Sequence, residues 1–328
     1  MNKIIFPRKG YDGILRSRNS IERWFFSEVE RDIDRELSVI DCEAKWSSVE
    51  KSCTKLLRKH LHLILLAEPR YLRRIRDIIL RKYPDLFVSK AKDSYNKRIL
   101  KAFGYKKYRG DVLIVLAKRL NIKSCPYCNS QYTLFIDQRS NRSYPKGVAR
   151  FQFDHFFNKS DAPFLSMSLY NLIPACASCN LSKHSVDMSM ELNPYETDIS
   201  SLFFFKAKDP IKLWLGVRTV DSTQIELMPT SSKVSHIVKE LNDALFLDKL
   251  YGRFGDVAQE IYDKVYLYPY YFHRNNFPML TMDQDDERYF MRLWLGNYIE
   301  KDNIEKRPLA KFMQDMWNQA CGVVWRKR

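Results

Sequence analysis

Between residues 20 and 120 the apolar positions recur at three- and four-residue steps, the spacing of one buried helix face. Leu57, Leu61, Ile64 and Leu65 form one such series, and Leu72, Ile75 and Ile79 form another. Arg73, Arg74, Arg76, Arg81 and Lys82 fill the gaps. Pro69 suits the first turn of a new helix, and Pro84 suits its end. The pattern predicts helices that turn a basic face to solvent.

From Ser124 to about Asp198 the pattern becomes short and β-like. Tyr132 to Ile136 and Arg150 to Phe153 are rich in aromatic and β-branched residues and flank a polar loop, Asp137 to Gly147, which predicts a hairpin. Leu202 to Lys206, Leu213 to Val220 and Gln224 to Met228 are three further candidate strands. After Pro229 helical spacing returns, with Ile237, Leu241, Leu245 and Leu250 as core positions and a basic tail, Arg326-Lys327-Arg328. These changes divide the chain into residues 1–120, 121–200 and 201–328, with no internal repeat or low-complexity tract.

A chain of 328 residues can bury about three quarters of its unfolded surface, so its core needs no disulfides. The 45% apolar content, with only 10 Gly and 13 Pro, excludes a mainly disordered or collagen-like chain. The net charge of +16 is regional: residues 51–120 hold 20 Lys/Arg against 5 Asp/Glu, whereas residues 121–328 hold 26 against 24. Such a surplus fits a phosphate polymer, and from charge alone it also fits a solvated basic face or an anionic lipid surface. Ile4-Ile5-Phe6 is too short for a signal-peptide core, and Leu63 to Ala67 and Val112 to Ala117 fall far below a membrane span. The expectation is a cytoplasmic chain without a membrane partner, whose seven cysteines serve as thiols or metal ligands.

Two cysteine pairs stand out, Cys125-Pro-Tyr-Cys128 and Cys176-Ala-Ser-Cys179. Chance gives about 0.15 pairs at this spacing in such a chain, and two are present. Two such pairs can complete a tetrahedral thiolate shell around one Zn²⁺ with no open position, which is a structural site. Buried or redox-active thiols are the alternative. Cys42, Cys53 and Cys321 lack partners at ligand spacing and read as ordinary buried thiols.

Between the pairs lie Phe153-Asp154-His155-Phe156-Phe157-Asn158-Lys159-Ser160 and Asn171-Leu172-Ile173-Pro174; Asn180 and Lys183 follow the second pair. Adjacent strand residues point to opposite faces, so Asp154 and His155 can share a site only at a bend or a strand terminus. Asn180 and Lys183, three apart, lie on one face of the helix that the second pair would start.

The order Cys-x-x-Cys, Asp-His, Asn-Leu-Ile-Pro, Cys-x-x-Cys-Asn-x-x-Lys resembles the zinc-stabilised branch of the HNH endonucleases, whose core is the ββα-metal motif. The resemblance covers roughly residues 121–200. It implies an α+β fold: a zinc-bound ββα-metal core between a basic, mainly helical N-terminal region and a mainly helical C-terminal region. It implies His155 as general base, Asp154 as ligand of a catalytic Mg²⁺ or Mn²⁺, and Asn171 as brace of the loop or orienter of His155. Asn180 would be the second ligand, where many relatives carry His, and Lys159 and Lys183 would contact phosphate. DNA is the favoured substrate over RNA, and the basic helices, through Arg73, Arg74 and Arg76, would hold its backbone. Asn193-Pro194-Tyr195-Glu196 and Gly296-Asn297-Tyr298 through Arg307-Pro308-Leu309 resemble bacterial HNH proteins of anti-phage defence loci. Septu-type systems are among these, which implies a partner ATPase that gates the activity.

The sequence departs from that family in two places. Relatives often carry Pro at the position of Asn158, and 47 residues separate the two cysteine pairs (129–175). His184, four residues after Asn180, is either a substitute ligand or a solvent-facing residue. Asp154 and His155 could instead be a satisfied core pair, which would make the chain a non-catalytic zinc-stabilised module that binds nucleic acid or protein. His60 and His62, two apart, face different sides of a helix, and His236 and His273 have no clustered carboxylate. Asp283, Asp285, Asp286 and Glu287 read as an acidic turn, and the aromatic run Tyr266 to Phe272 reads as core in preference to a platform for stacking bases.

Overall fold

The computed structural model describes residues 3–4, 18–138, 146–215, 225–267 and 284–325. It combines helices with three separate two-stranded antiparallel sheets, in two compact units. Residues 3–122 and 133–197 form one unit; residues 1–2, 123–132 and 198–328 form the other. The helical region and the Asp-His segment, which the sequence pattern assigned to separate regions, thus belong to one unit.

In the first unit α1 (Arg18–Cys42) places Ile21, Phe25, Val29, Ile33, Leu37 and Ile40 on one stripe without solvent exposure. This stripe packs against α2 (Ser48–Lys59), α3 (Leu61–Leu66), α5 (Tyr95–Phe103) and α7 (Val112–Leu120). Local chemistry sets the helix ends. Ser47 and Glu50 form a reciprocal capping box at α2, and Pro69 occupies the first turn of α4 (Pro69–Lys82). Gly104 takes φ +69 between α5 and the short α6 (Tyr105–Tyr108), where a Cβ would meet the Tyr108 ring at 3.1 Å. Leu57, Leu61, Ile64, Leu65, Leu72 and Ile79 are buried; Ile75 is half-buried.

The hairpin forms with a shifted register. β1 (Phe135–Gln138) pairs with β2 (Lys146–Ala149), and the connecting loop lies largely outside the described residues. Arg150 to Phe153 therefore does not continue as one strand. After Arg150 the chain bends and starts β3 (Gln152–His155), which pairs with β4 (Leu172–Ala175) in the register Asp154↔Ile173, His155↔Leu172. A four-residue apolar run containing Pro174 gave β4 no periodic signature of its own. Helix α8 (Ala177–Lys183) follows at once, with Cys176 as its N-cap.

In the second unit β5 (Phe203–Ala207) pairs with β6 (Ile225–Pro229). The expected strand Leu213 to Val220 is not one: Asp209 caps Lys212 N at 3.2 Å and Pro210 starts helix α9 (Pro210–Trp214), while residues 216–220 lie outside the described residues. Helices α10 (Ser235–Leu245), α11 (Leu247–Tyr251), α12 (Gly255–Leu267), α13 (Gln284–Leu295) and α14 (Ala310–Trp325) complete the unit. Residues 285–287 thus belong to a helix, not to a turn. Ile237, Leu241 and Leu245 are buried and Leu250 is half-buried. Asp315 and Gln319 of α14 accept hydrogen bonds from Phe205 N and Ala207 N, both at 2.9 Å, which satisfies the open edge of β5. Of the run 266–272, Tyr266 is exposed and its ring meets Trp214, so it is not core; Ile5, Phe6, residues 268–273, Asp283 and the basic tail lie outside the described residues. No helix among the described residues is long and apolar enough to cross a membrane.

Phe164, fully buried against the Phe87 ring at 5.2 Å, packs the loop between β3 and β4 onto the helices. Phe164→Ala is expected to lower unfolding free energy by about 3–5 kcal/mol, read as a fall in the urea midpoint at constant slope.

Candidate functional site

Strand β3 delivers Asp154 and His155 to opposite sides of a two-stranded ribbon, and His155 is its last residue. Burial leaves His155 only 7% exposed. Its Nε2 lies 3.0 Å from the carbonyl oxygen of Ser166, which can only accept, so Nε2 carries the proton and Nδ1 keeps the lone pair. Desolvation, then the positive charges of Lys159 and Lys183, push its pKa down to about 3, so the imidazole is neutral at cellular pH and Nδ1 keeps its lone pair, at the cost of a low proton affinity. The Tyr105 ring meets it edge-on at 4.5 Å, and the Tyr105 hydroxyl donates to the carbonyl of Phe153 at 3.3 Å.

Asn171 holds the backbone next to the Ser166 carbonyl. Its side-chain amide donates to Leu165 O at 2.9 Å and Phe157 O at 3.1 Å, while its oxygen accepts from Phe157 N at 2.7 Å. One buried carboxamide thereby ties both ends of the loop together beside His155. Asn158 closes a tight turn instead of Pro, its oxygen accepting from Ser160 N and Ser160 Oγ at 2.9 and 2.8 Å. Asn96 and Lys90 both donate to the Ser160 carbonyl, which fastens this turn to the helices.

Helix α8 closes the other side. Lys183 is completely buried, with Nζ 3.2 and 3.4 Å from the two Asp154 oxygens and 2.9 Å from His155 O. It is therefore a structural counter-ion of Asp154 and not the surface phosphate contact that the resemblance implied. Asn180, one turn earlier, donates to Gln152 Oε1 at 2.5 Å. Gln152 and Asp154 alternate with Phe153, so Asn180 reaches the same face of β3 as Asp154. His184 ends α8 with φ 44° in solvent, its ring bonded to Ser185.

The four sulfurs of Cys125, Cys128, Cys176 and Cys179 lie within 4.8 Å of one another, and all four residues are buried. Thiolates around Zn²⁺ at about 2.3 Å would fit this spacing. Ser130 N and Oγ donate to Cys128 Sγ at 3.4 and 3.1 Å, and Cys179 N donates to Cys176 Sγ at 3.4 Å, which favours thiolate ligands. The first pair is buttressed by Asn129, whose amide donates to Ile304 O and Arg307 O at 2.8 and 3.0 Å. That contact explains the Arg307-Pro308-Leu309 segment, and Tyr195, whose hydroxyl donates to Leu172 O at 3.1 Å, plays the like part under β4. Cys53 is buried, with its thiol pushed up to about 11 by desolvation; Cys42 is exposed, contrary to its reading as a buried thiol.

The basic face of α4 is not wholly turned to solvent. Arg73 donates to Met188 O at 2.9 Å, and Arg76 pairs with Asp187 at 2.5 Å and Asp77 at 3.0 Å while its guanidinium covers the Phe157 ring at 4.4 Å. Their side chains are spent on packing, and of the three only Arg74 is exposed. No family model, curated protein or solved structure matches this chain.

Lys183→Met is expected to cost about 3–5 kcal/mol in urea unfolding by leaving Asp154 buried without a cation, and adding Asp154→Asn should recover part of the loss. Nitrogen NMR of the imidazoles should show His155 as a single Nε2-protonated neutral tautomer at about pH 7, unchanged down to about pH 5.

Proposed function

We propose that this chain is a metal-dependent HNH endonuclease that hydrolyses phosphodiester bonds in nucleic acid, with DNA favoured over RNA. The observation that carries the reading is His155: a buried, neutral imidazole with one nitrogen fixed on a backbone carbonyl and the other left as a base. The order strand β3, strand β4, helix α8, with Asp-His ending the first strand and Asn-x-x-Lys on the helix, is similar to the ββα-metal arrangement.

In this mechanism His155 Nδ1 takes a proton from the water that attacks phosphorus, and the Ser166 carbonyl keeps the ring aligned as imidazolium charge develops. Asp154 and Asn180 offer the hard oxygen donors that suit Mg²⁺ or Mn²⁺, and such an ion would neutralise the scissile phosphate and the leaving oxygen. Lys183 holds the Asp154 carboxylate in its rotamer. Zinc in the Cys125, Cys128, Cys176 and Cys179 set would stabilise the fold by on the order of 10 kcal/mol without joining the reaction. A role in anti-phage defence with a gating partner ATPase rests only on the family resemblance.

A second reading is favoured by the Asp154–Lys183 pair, which satisfies the carboxylate internally. It makes the chain a zinc-stabilised binding module without hydrolysis.

Purified chain should contain one zinc ion by elemental analysis, and stripping it with a chelator or replacing Cys176 by Ser should lower the melting temperature. Supercoiled plasmid or a mixed RNA pool incubated with Mg²⁺ or Mn²⁺ should be cut. EDTA should abolish that cleavage and His155→Ala should reduce it by about 10²–10⁴-fold. Cleavage that persists in folded His155→Ala would sink the mechanism, and a folded, zinc-loaded chain that binds but never cuts would favour the binding module.

A further inference from the structure

The first unit carries two kinds of cation. Arg58, Arg76, Lys90, Arg98 and Lys107 each face carboxylates. Lys106 and Arg109 do not: among the described residues neither has an acidic partner, although Lys107, between them, is bound to Asp32; Lys159 forms no ion pair there and feels the charge of Asp154. Lys106 and Arg109 are exposed, and their three-residue separation puts them on one face of α6, whose helical geometry continues through Arg109. Lys159 lies half-buried on the turn after β3, its ammonium 4.5 Å from the Tyr105 ring centre. That ring is the one that meets the His155 imidazole, and Arg109, Asp154 and Lys106 all act on the Lys159 ammonium, so the three cations gather beside Asp154 and His155.

Their proximity is unfavourable as it stands. Desolvation and then Arg109 hold the Lys159 ammonium below the usual lysine range, with Lys106 adding to the effect against Asp154. Like charges kept together beside a carboxylate that is already paired with Lys183 are relieved by a further anion, and a phosphodiester offers oxygens to several cations at once.

We propose that Lys106 and Arg109 of α6, with Lys159, form the seat for a backbone phosphate of the nucleic acid next to the bond presented to His155. The seat takes over the role assigned from sequence to Arg73 and Arg76. It rests on the nuclease reading for the nature of the polymer. It recognises phosphate, so it holds the strand without reading bases.

The test uses the full, zinc-loaded chain with no added Mg²⁺ or Mn²⁺ and no chelator, so that binding is read without cutting and the zinc stays in place. Anisotropy of labelled single-stranded DNA, double-stranded DNA and single-stranded RNA is titrated at several salt concentrations. The chains are wild type, the K106A/R109A double variant, and K59A/K101A, which removes equal charge from exposed positions of α2 and α5. K106A/R109A is expected to weaken binding of the preferred polymer at least tenfold and to reduce the log–log salt slope by about two, with K59A/K101A within about twofold of wild type. K106R/R109K, which keeps the charge, should retain most of the binding. Equal losses in both alanine variants, no loss in K106A/R109A, or a folded wild type that binds none of the oligonucleotides would each overturn the proposal. Seat-dependent binding without metal-dependent cleavage would uphold the seat and remove the nuclease reading; cleavage with unchanged binding in K106A/R109A would do the reverse.

Discussion

A lysine ammonium with no solvent exposure is the constraint on which this region depends. Removing such a charge from water costs several kcal/mol, and Lys183 offsets it through the Asp154 carboxylate and the His155 carbonyl. Both partners sit at the end of β3, so the last turn of α8 cannot leave that strand without exposing or orphaning a charge. The ladder to β4 then fixes the second strand, and the short step from β4 to Cys176 fixes where the helix begins. A strand pair too small to be stable alone is thereby locked to a helix by one buried cation.

The segment between the strands is ordered by the same economy of buried polar groups. Asn171 uses three side-chain hydrogen bonds to hold backbone at Phe157 and Leu165, and the neighbouring carbonyl of Ser166 then sets the tautomer of His155. Each of these groups is buried and would be costly to leave unpaired, so the loop has one satisfactory arrangement. His155 is held neutral by low dielectric and by positive neighbours, and it is aligned by backbone rather than by a carboxylate.

Charge in the helical region follows a different logic from its total. Residues 51–120 carry a surplus of fifteen, 20 basic against 5 acidic, yet several of those cations face acids that lie elsewhere in the chain, such as Asp34, Glu36 and Asp187. The surplus that matters to a ligand is what remains after internal pairing, and that pairing depends on contacts between residues tens to more than a hundred positions apart.

The sequence by itself determined what is local. The helical stripes from Leu57 to Ile79, the Pro69 start, the β5 and β6 strands and the two cysteine pairs follow from periodicity, turn chemistry and short spacing. The candidate chemistry was also legible, because Asp154, His155, Asn171 and Asn180 are unusual residue types set in a recognisable order. Tertiary structure alone decided which of them meet and which cations are free. Lys183 and Arg76 look like surface cations in the sequence, but partners 29 and 111 positions away draw them into packing. Lys106 and Arg109, in the run Tyr105-Lys106-Lys107-Tyr108-Arg109, are singled out only by the Tyr105 ring that brings α6 to His155. A side chain's partner is set by long-range contacts, and no periodicity or spacing encodes it.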